Sequence, residues 1–115
     1  MAYPDFSILI ATKDRPENMR NLLKSVEQST VKPSSLVVVS SGHPIHDVIS
    51  EFETSLKIDY VHSEVSGQVN QKKVGISRLR KDIPWVAFLD DDLLVTPITF
   101  EKAFEALSKY ISTGD

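Results

Sequence analysis

Two nearly continuous apolar runs, residues 6–11 and 36–39, constrain the fold of this chain more than any other feature of its sequence. Both runs are short and contain β-branched residues, and neither shows the alternation of apolar and polar residues expected of a strand with one face in water. Such runs are typical of strands that are covered on both faces. Similar patterns predict a third strand at residues 58–61 and a fourth at residues 85–89.

The segments between these runs have the apolar spacing of amphipathic helices, i, i+3, i+4 and i+7. The first helix follows a loop at residues 12–16, where Asp14 and Glu17 resemble a capping box. The periodic residues are Met19, Leu22, Leu23 and Val26 in the first helix and Ile45, Val48, Ile49 and Phe52 in the second. Strands and helices therefore alternate along the chain.

Two more helices are expected. In the first, residues 67–81, the apolar side chains Val69, Ile76 and Leu79 would share one face. Thr96 is expected to cap the last helix, with Pro97 in its first position. The apolar stripe of that helix consists of Phe100, Ala103, Phe104, Leu107 and Ile111. The sequence thus predicts one α/β domain over residues 1–115, with a mostly parallel sheet of about four strands and helices on both faces.

The composition excludes several classes of function. The chain has 115 residues and a formal net charge of -3, so it has no broad basic field and we expect no nucleic-acid partner. It contains no cysteine, which excludes disulfides and thiolate chemistry. No apolar run is long enough to span a membrane and no signal-peptide pattern is found, so the expected location is cytoplasmic.

Three consecutive aspartates, Asp90, Asp91 and Asp92, directly follow the fourth apolar run. Ligands of parallel α/β sheets bind beyond the carboxyl ends of the strands, where this triplet would lie. The loops at that edge are residues 12–16, 40–44, 63–68 and 90–95. Adjacent like charges are commonly offset by a cation, and carboxylates suit Mg²⁺ or Mn²⁺ held together with substrate phosphates. A solvated acidic turn without a metal is the alternative.

Four segments carry a family pattern in the family's order and spacing. Residues 12–15 read Thr-Lys-Asp-Arg, similar to a Thr-Tyr-Asn-Arg that closes a first strand, and residues 22–26 resemble a Leu-x-x-x-Leu-x-Ser stretch. Residues 67–76 resemble a Gly-x-x-x-Ala-Arg-Asn-x-Gly-Ile segment, and residues 86–92 resemble a strand that ends in Asp-x-Asp, the DxD motif. Together they resemble family 2 glycosyltransferases of the GT-A fold.

The resemblance implies a Rossmann-like domain that binds a nucleotide-diphospho-sugar through Mn²⁺ or Mg²⁺, with a UDP-sugar as the expected donor. It implies transfer to a saccharide or lipid-linked acceptor, as in polysaccharide biosynthesis. Asp90 would contact the ribose or a metal-bound water, and Asp92 would ligate the metal. Because three aspartates are consecutive, the alignment with the DxD motif is ambiguous by one residue, and Asp91 is therefore also a candidate. The other donor-binding positions implied are Thr12, Lys13, Arg15, Ser40 and Lys72.

The chain departs from the family pattern in three respects. The family ends its second strand with Asp-Asp or Asp-Asn, whose first aspartate accepts a hydrogen bond from uracil, and this chain has Ser40-Ser41. Lys72 replaces an arginine, which keeps the charge and loses the forked donor set. The chain also ends at Asp115, before the half that holds the family's acceptor site and catalytic base. We therefore expect the donor-binding portion of a longer enzyme, inactive by itself.

Other polar residues have simpler explanations. His43, His46 and His62 are expected to be surface or hydrogen-bonding histidines rather than metal ligands. The basic residues between 72 and 81 are expected to form a solvated helix face, apart from Lys72. Trp85 is expected to pack in or near the core.

Two other classes of function remain open at the level of sequence. A receiver-like signalling domain also alternates strands and helices, although residues 12–14 and 62–64 do not match its acidic pair and phospho-acceptor. A non-catalytic nucleotide-binding or assembly domain is the second alternative. In that case an uncovered edge of the sheet would favour a homo-oligomer.

Overall fold

The computed structural model describes the backbone of residues 3–113 and the side chains of residues 3–109. In the described part of the chain, a sheet of four parallel strands has the order β3-β2-β1-β4. The strands are β1 (Phe6–Lys13), β2 (Ser35–Ser41), β3 (Ile58–His62) and β4 (Trp85–Asp90). The predicted α/β class and the four predicted strands are confirmed.

Helices cover both faces of the sheet, as the sequence predicts. The helices are α1 (Pro16–Glu27), α2 (His46–Ser50), α3 (Gln68–Arg78) and α4 (Thr99–Thr113). Apolar residues of α1, α2 and α4 pack on one face, around Ile8 and Val38, and α3 packs on the other face, over Leu9 and Val39. Burial of one such side chain contributes about 1.5–3 kcal/mol, so the two central strands, β1 and β2, anchor the carboxyl edge of the sheet.

The face of α3 that meets the sheet differs from the predicted one. Val69 is 70% exposed and Ile76 is 52% exposed, whereas Gln71 and Gly75 are buried. The reason is the close approach of the helix at Gly75, where an added Cβ would lie 2.2 Å from Cδ1 of Leu9. A residue without a side chain therefore determines which face of α3 contacts the sheet.

The start of α1 also differs from the prediction. Asp14 has a positive φ of 54° and does not cap the helix, so the predicted capping box is wrong. Its carboxylate Oδ1 instead accepts a hydrogen bond from the backbone N–H of His43, at 2.8 Å. Glu17, the other member of the predicted box, pairs with Arg20.

The last helix begins later than predicted, at Thr99 rather than Pro97. The carbonyl of Pro97 accepts a hydrogen bond from the N–H of Thr30 at 2.8 Å, which fixes residues 96–98 as a turn against the end of α1. Within the predicted stripe, Phe100 and Phe104 are buried. Ala103 is exposed, Leu107 is 37% exposed, and the side chain of Ile111 lies outside the described residues.

Strand β4 lies at one edge of the sheet, and its face toward α3 is only partly covered. Phe88 is 54% exposed because α3 packs over β1 and β2 rather than over β4. Trp85 is 38% exposed and makes a T-shaped contact with the Phe104 ring, with ring centroids 6.5 Å apart, so it lies beside the core.

Over the described residues, no helix is both long and apolar enough to cross a bilayer. A cytoplasmic location stays a prediction.

Candidate functional site

A cavity of about 390 Å³ lies at the carboxyl edge of the sheet. Its walls come from the ends of β1 and β4, the turn after each of these strands, and the first turn of α3. The lining residues are Ala11, Thr12, Lys13, Arg15, Gln68, Gln71, Asp90, Asp91 and Asp92. The structure thus brings Thr12, Lys13, Arg15 and the aspartate triplet together, as the sequence predicts.

The pairing of β1 with β4 positions the acidic part of this cavity. Ala11 lies opposite Asp90 in the parallel register, so the aspartates extend beyond the sheet next to Thr12. Because the two strands are adjacent, groups that are 79 residues apart in sequence meet in a hydrogen bond between Thr12 and Asp91.

Asp91 is the buried member of the triplet and is held by the protein. It is 9% exposed, and its Oδ2 accepts a hydrogen bond from the Thr12 hydroxyl at 2.8 Å. Its Oδ1 receives a hydrogen bond from Nη1 of Arg15 at 3.1 Å. Both oxygens are therefore engaged, and Asp91 joins the ends of β1 and β4.

Asp90 and Asp92 are exposed and line the same cavity. Across the described side chains, neither carboxylate takes part in a hydrogen bond or ion pair with the protein. Two unpaired carboxylates on either side of an anchored one match the donor set that Mg²⁺ or Mn²⁺ uses when phosphates and water complete its coordination. The residues present therefore fit a divalent metal that is shared with a ligand.

The other cations and histidines do not converge on this cavity. Lys72 lies in a smaller neighbouring groove between α3 and β4, together with Phe88 and Asp90. Among the described residues, no cluster of three or more histidine, cysteine or acidic side chains forms a metal site. A metal in the cavity would therefore depend on the ligand for part of its coordination.

Ser40 is buried below the edge of the sheet and its hydroxyl is engaged. Its Oγ is 2.6 Å from the hydroxyl of Tyr60 and 2.9 Å from Nδ1 of His62. Tyr60 in turn accepts a hydrogen bond from the N–H of Ile45 at 2.9 Å. This network cannot be read from the sequence pattern, because its members come from two strands and a loop. His62 is a hydrogen-bonding histidine, as predicted.

Gln71 lines the cavity and is not among the residues predicted from the sequence. It is 3% exposed, and its amide nitrogen bridges the backbone carbonyls of Thr12 and Val39. Gln71, Gly75 and Leu79 are spaced four residues apart, so they share one face of the helix, and the glycine among them indicates that this face closely approaches the sheet. The apolar residues Val69 and Ile76 indicate a different face.

Comparisons with known proteins agree with this architecture. The sequence model of the family described as "Glycosyl transferase family 2" matches residues 7–112. No sequence among curated proteins matches significantly.

Among solved structures, the chain is similar to S. aureus TarS 1-349, with 16% identity and a TM-score of 0.75 over 92% of this chain and 33% of that chain. It is similar to the complex of TarS 1-349 with UDP, at 16% identity and a TM-score of 0.75, and to the complex with UDP-GlcNAc, at 16% identity and a TM-score of 0.73. Each match covers 92% of this chain and 32% of that chain. The chain therefore spans about a third of the length of these structures, and the likeness shows a shared fold.

Proposed function

Because the chain belongs to glycosyl transferase family 2, we propose that its carboxyl-edge cavity binds the nucleoside diphosphate of a sugar donor. The observation that carries this proposal is the pair of unpaired carboxylates, Asp90 and Asp92, beside the anchored Asp91. An acidic site repels a diphosphate unless a cation lies between them, so the proposal includes a divalent metal.

Asp90 and Asp92 would hold Mn²⁺ or Mg²⁺ through their free oxygens. When bound, the metal would neutralise negative charge on the diphosphate, including the charge that develops on it as a leaving group. Asp91 would act indirectly, by keeping the turn after β4 fixed to Thr12 and Arg15. This arrangement assigns the metal to the outer two aspartates of the triplet.

Lys13 and the start of α3 are the remaining charged or dipolar features of the cavity. Lys13 is exposed at its rim, and Gln68, the first residue of the 11-residue helix α3, also lines it. The N-terminus of a helix carries partial positive charge, which favours an anion nearby. Both features would attract the phosphates of the donor.

We propose that the described part of the chain binds the donor and does not complete the transfer. The carboxylates of the cavity are assigned to the metal or to the anchor, so none remains to deprotonate an acceptor hydroxyl. A saccharide or lipid-linked acceptor and a role in polysaccharide biosynthesis are proposals that come with family membership. A homo-oligomer is a proposal that comes from the uncovered edge of the sheet.

Calorimetric titration tests this proposed function. UDP, GDP and CDP are titrated into the protein in Mn²⁺, and again in EDTA. We expect at least one nucleotide to bind in Mn²⁺ at least about tenfold more tightly than in EDTA, because the metal offsets repulsion between two carboxylates and the diphosphate. UDP is the first probe, since it is the nucleotide found with similar structures.

Failure of all three nucleotides to bind in Mn²⁺ would reject the cavity as a donor site. Equal affinities in Mn²⁺ and EDTA would retain nucleotide binding but reject the role of Asp90 and Asp92. Inorganic diphosphate with Mn²⁺ is the matching ligand control, because it tests the metal and phosphate contacts without a base or ribose.

A further inference from the structure

Gln71 is a buried amide whose orientation is fixed by its surroundings. Its Nε2 donates hydrogen bonds to the carbonyl oxygen of Thr12 at 2.7 Å and to that of Val39 at 3.0 Å. Carbonyl oxygens only accept hydrogen bonds, so the amide nitrogen, and not the amide oxygen, must face them. Both N–H groups are thereby used on the backbone of β1 and β2.

The amide oxygen of Gln71 remains available. Within the described side chains, Oε1 receives no hydrogen bond, and it is not among the fully enclosed polar atoms that lack a partner. The residue lines the same cavity as the aspartate triplet. A residue that lines the cavity therefore carries an acceptor of fixed orientation that is able to receive an N–H or O–H donor.

The strand order separates this acceptor from Asp90 along the carboxyl edge of the sheet. Gln71 bridges β1 and β2, whereas Asp90 ends β4 on the other side of β1. This separation is one and a half strand spacings, or about 7 Å at the usual distance between neighbouring strands. A nucleoside diphosphate whose phosphates lie at Asp90 and Asp92 would cross the end of β1 with its ribose and reach Gln71 with its base.

Ser40, at the end of β2, does not offer an equivalent free acceptor. It is 1% exposed, and its hydroxyl contacts both Tyr60 and His62. Because Ser40 is almost completely enclosed, its hydroxyl is not accessible to a ligand, whereas Oε1 of Gln71 has no partner in the described part of the protein.

We propose that Oε1 of Gln71 is the specificity determinant for the base of the donor, accepting a hydrogen bond from a ring N–H. This inference rests on the proposed function, in which the cavity takes a nucleoside diphosphate. Uracil, thymine and guanine carry such an N–H, whereas the ring nitrogens of cytosine and adenine at the corresponding edge are acceptors. A base without the N–H would leave Oε1 desolvated and unpaired, which lowers affinity.

The test compares UDP with N3-methyl-UDP, which lacks the ring N–H, in Mn²⁺. Wild-type protein is expected to prefer UDP at least about tenfold. In Gln71→Met, which is similar in length but lacks the amide, that preference is expected to fall below about threefold, with binding of Mn²⁺ and inorganic diphosphate unchanged. Gln28→Met, an exposed site outside the cavity, is the matched control and should keep the wild-type preference.

A second measurement needs no variant. The side-chain ¹³Cδ resonance of Gln71 is expected to shift when UDP binds and to stay in place when N3-methyl-UDP binds at saturation. Equal affinities of wild-type protein for the two ligands, a preference that survives in Gln71→Met, or an unmoved ¹³Cδ resonance would overturn the assignment of Gln71. Failure of the proposed function is a different result, because then neither UDP nor inorganic diphosphate binds in Mn²⁺.

Discussion

Asp92→Asn is expected to lower the affinity for UDP in Mn²⁺ about 100-fold, which corresponds to about 2.7 kcal/mol. The substitution keeps the shape of the side chain but removes a negative charge and one metal ligand. Asp92 has no protein partner in the described structure that would be lost at the same time. The effect should therefore appear in binding and not in the free energy of unfolding, and calorimetry with urea denaturation measures both.

Asp91→Asn provides the contrast, because Asp91 is anchored by Thr12 and Arg15. We expect this variant to lose about 1–3 kcal/mol of stability, since a buried charged hydrogen-bond acceptor is weakened. Asp82→Asn, on an exposed residue that is paired with Arg80 before the start of β4, at the end of the strand away from the cavity, should match the wild type in UDP affinity. If Asp92→Asn keeps the full Mn²⁺ dependence of UDP binding, Asp92 does not hold the metal.

Gly42→Ala is expected to lower the free energy of unfolding by about 1.5–3.5 kcal/mol. Gly42 has a φ of 75°, a region that costs an L-residue about 1–2 kcal/mol. A Cβ there would also lie 2.3 Å from Oδ1 of Asp14, so the exposed Asp14 carboxylate would have to move. Moving it would break its hydrogen bond with the N–H of His43, which joins the turns after β1 and β2 and contributes about 0.5–1.5 kcal/mol.

Gly67→Ala separates the two contributions. Gly67 also has a positive φ, 115°, but the nearest atom to an added Cβ is Nδ2 of Asn70, 3.9 Å away. This variant should therefore lose only the backbone part of the stability. In a background that carries Asp14→Gly, which removes the carboxylate, Gly42→Ala should cost less stability than in the wild type, as urea denaturation of the wild type, the two single variants and the double variant will measure. An equal cost of Gly42→Ala in the two backgrounds would contradict the contact with Asp14.

Sequence patterns predicted the central strands and the acidic edge well, because those features depend on local composition. The apolar runs of β1 and β2 leave few alternatives to buried parallel strands, and a triplet of aspartates after β4 has to lie at the carboxyl edge. Contacts between distant segments were harder to predict. Asp14 was expected to cap α1 and instead binds the turn after β2, since its backbone has a positive φ.

The interior of the site depended on such distant contacts. The apolar pattern of α3 indicated Val69 and Ile76 as the inner face, yet the absence of a side chain at Gly75 turns Gln71 toward the sheet. Similarly, nothing in the order of the residues indicates that Asp91, rather than a neighbour, bonds to Thr12. The pairing of β1 with β4 therefore determines which aspartates have no protein partner among the described residues and are free to bind a metal.

Paramagnetic broadening by Mn²⁺ is the most direct test of the central claim, that a metal and diphosphate bind beside Asp90 and Asp92. Substoichiometric Mn²⁺ is added to ¹⁵N-labelled protein saturated with UDP, and amide signals are compared with those in Mg²⁺. We expect the broadening to be strongest at residues 11–15 and 90–94 and weakest at the opposite edge of the sheet, near residues 32–35 and 80–84. Broadening centred on the histidines at residues 43–46, or no site-specific broadening, would contradict it.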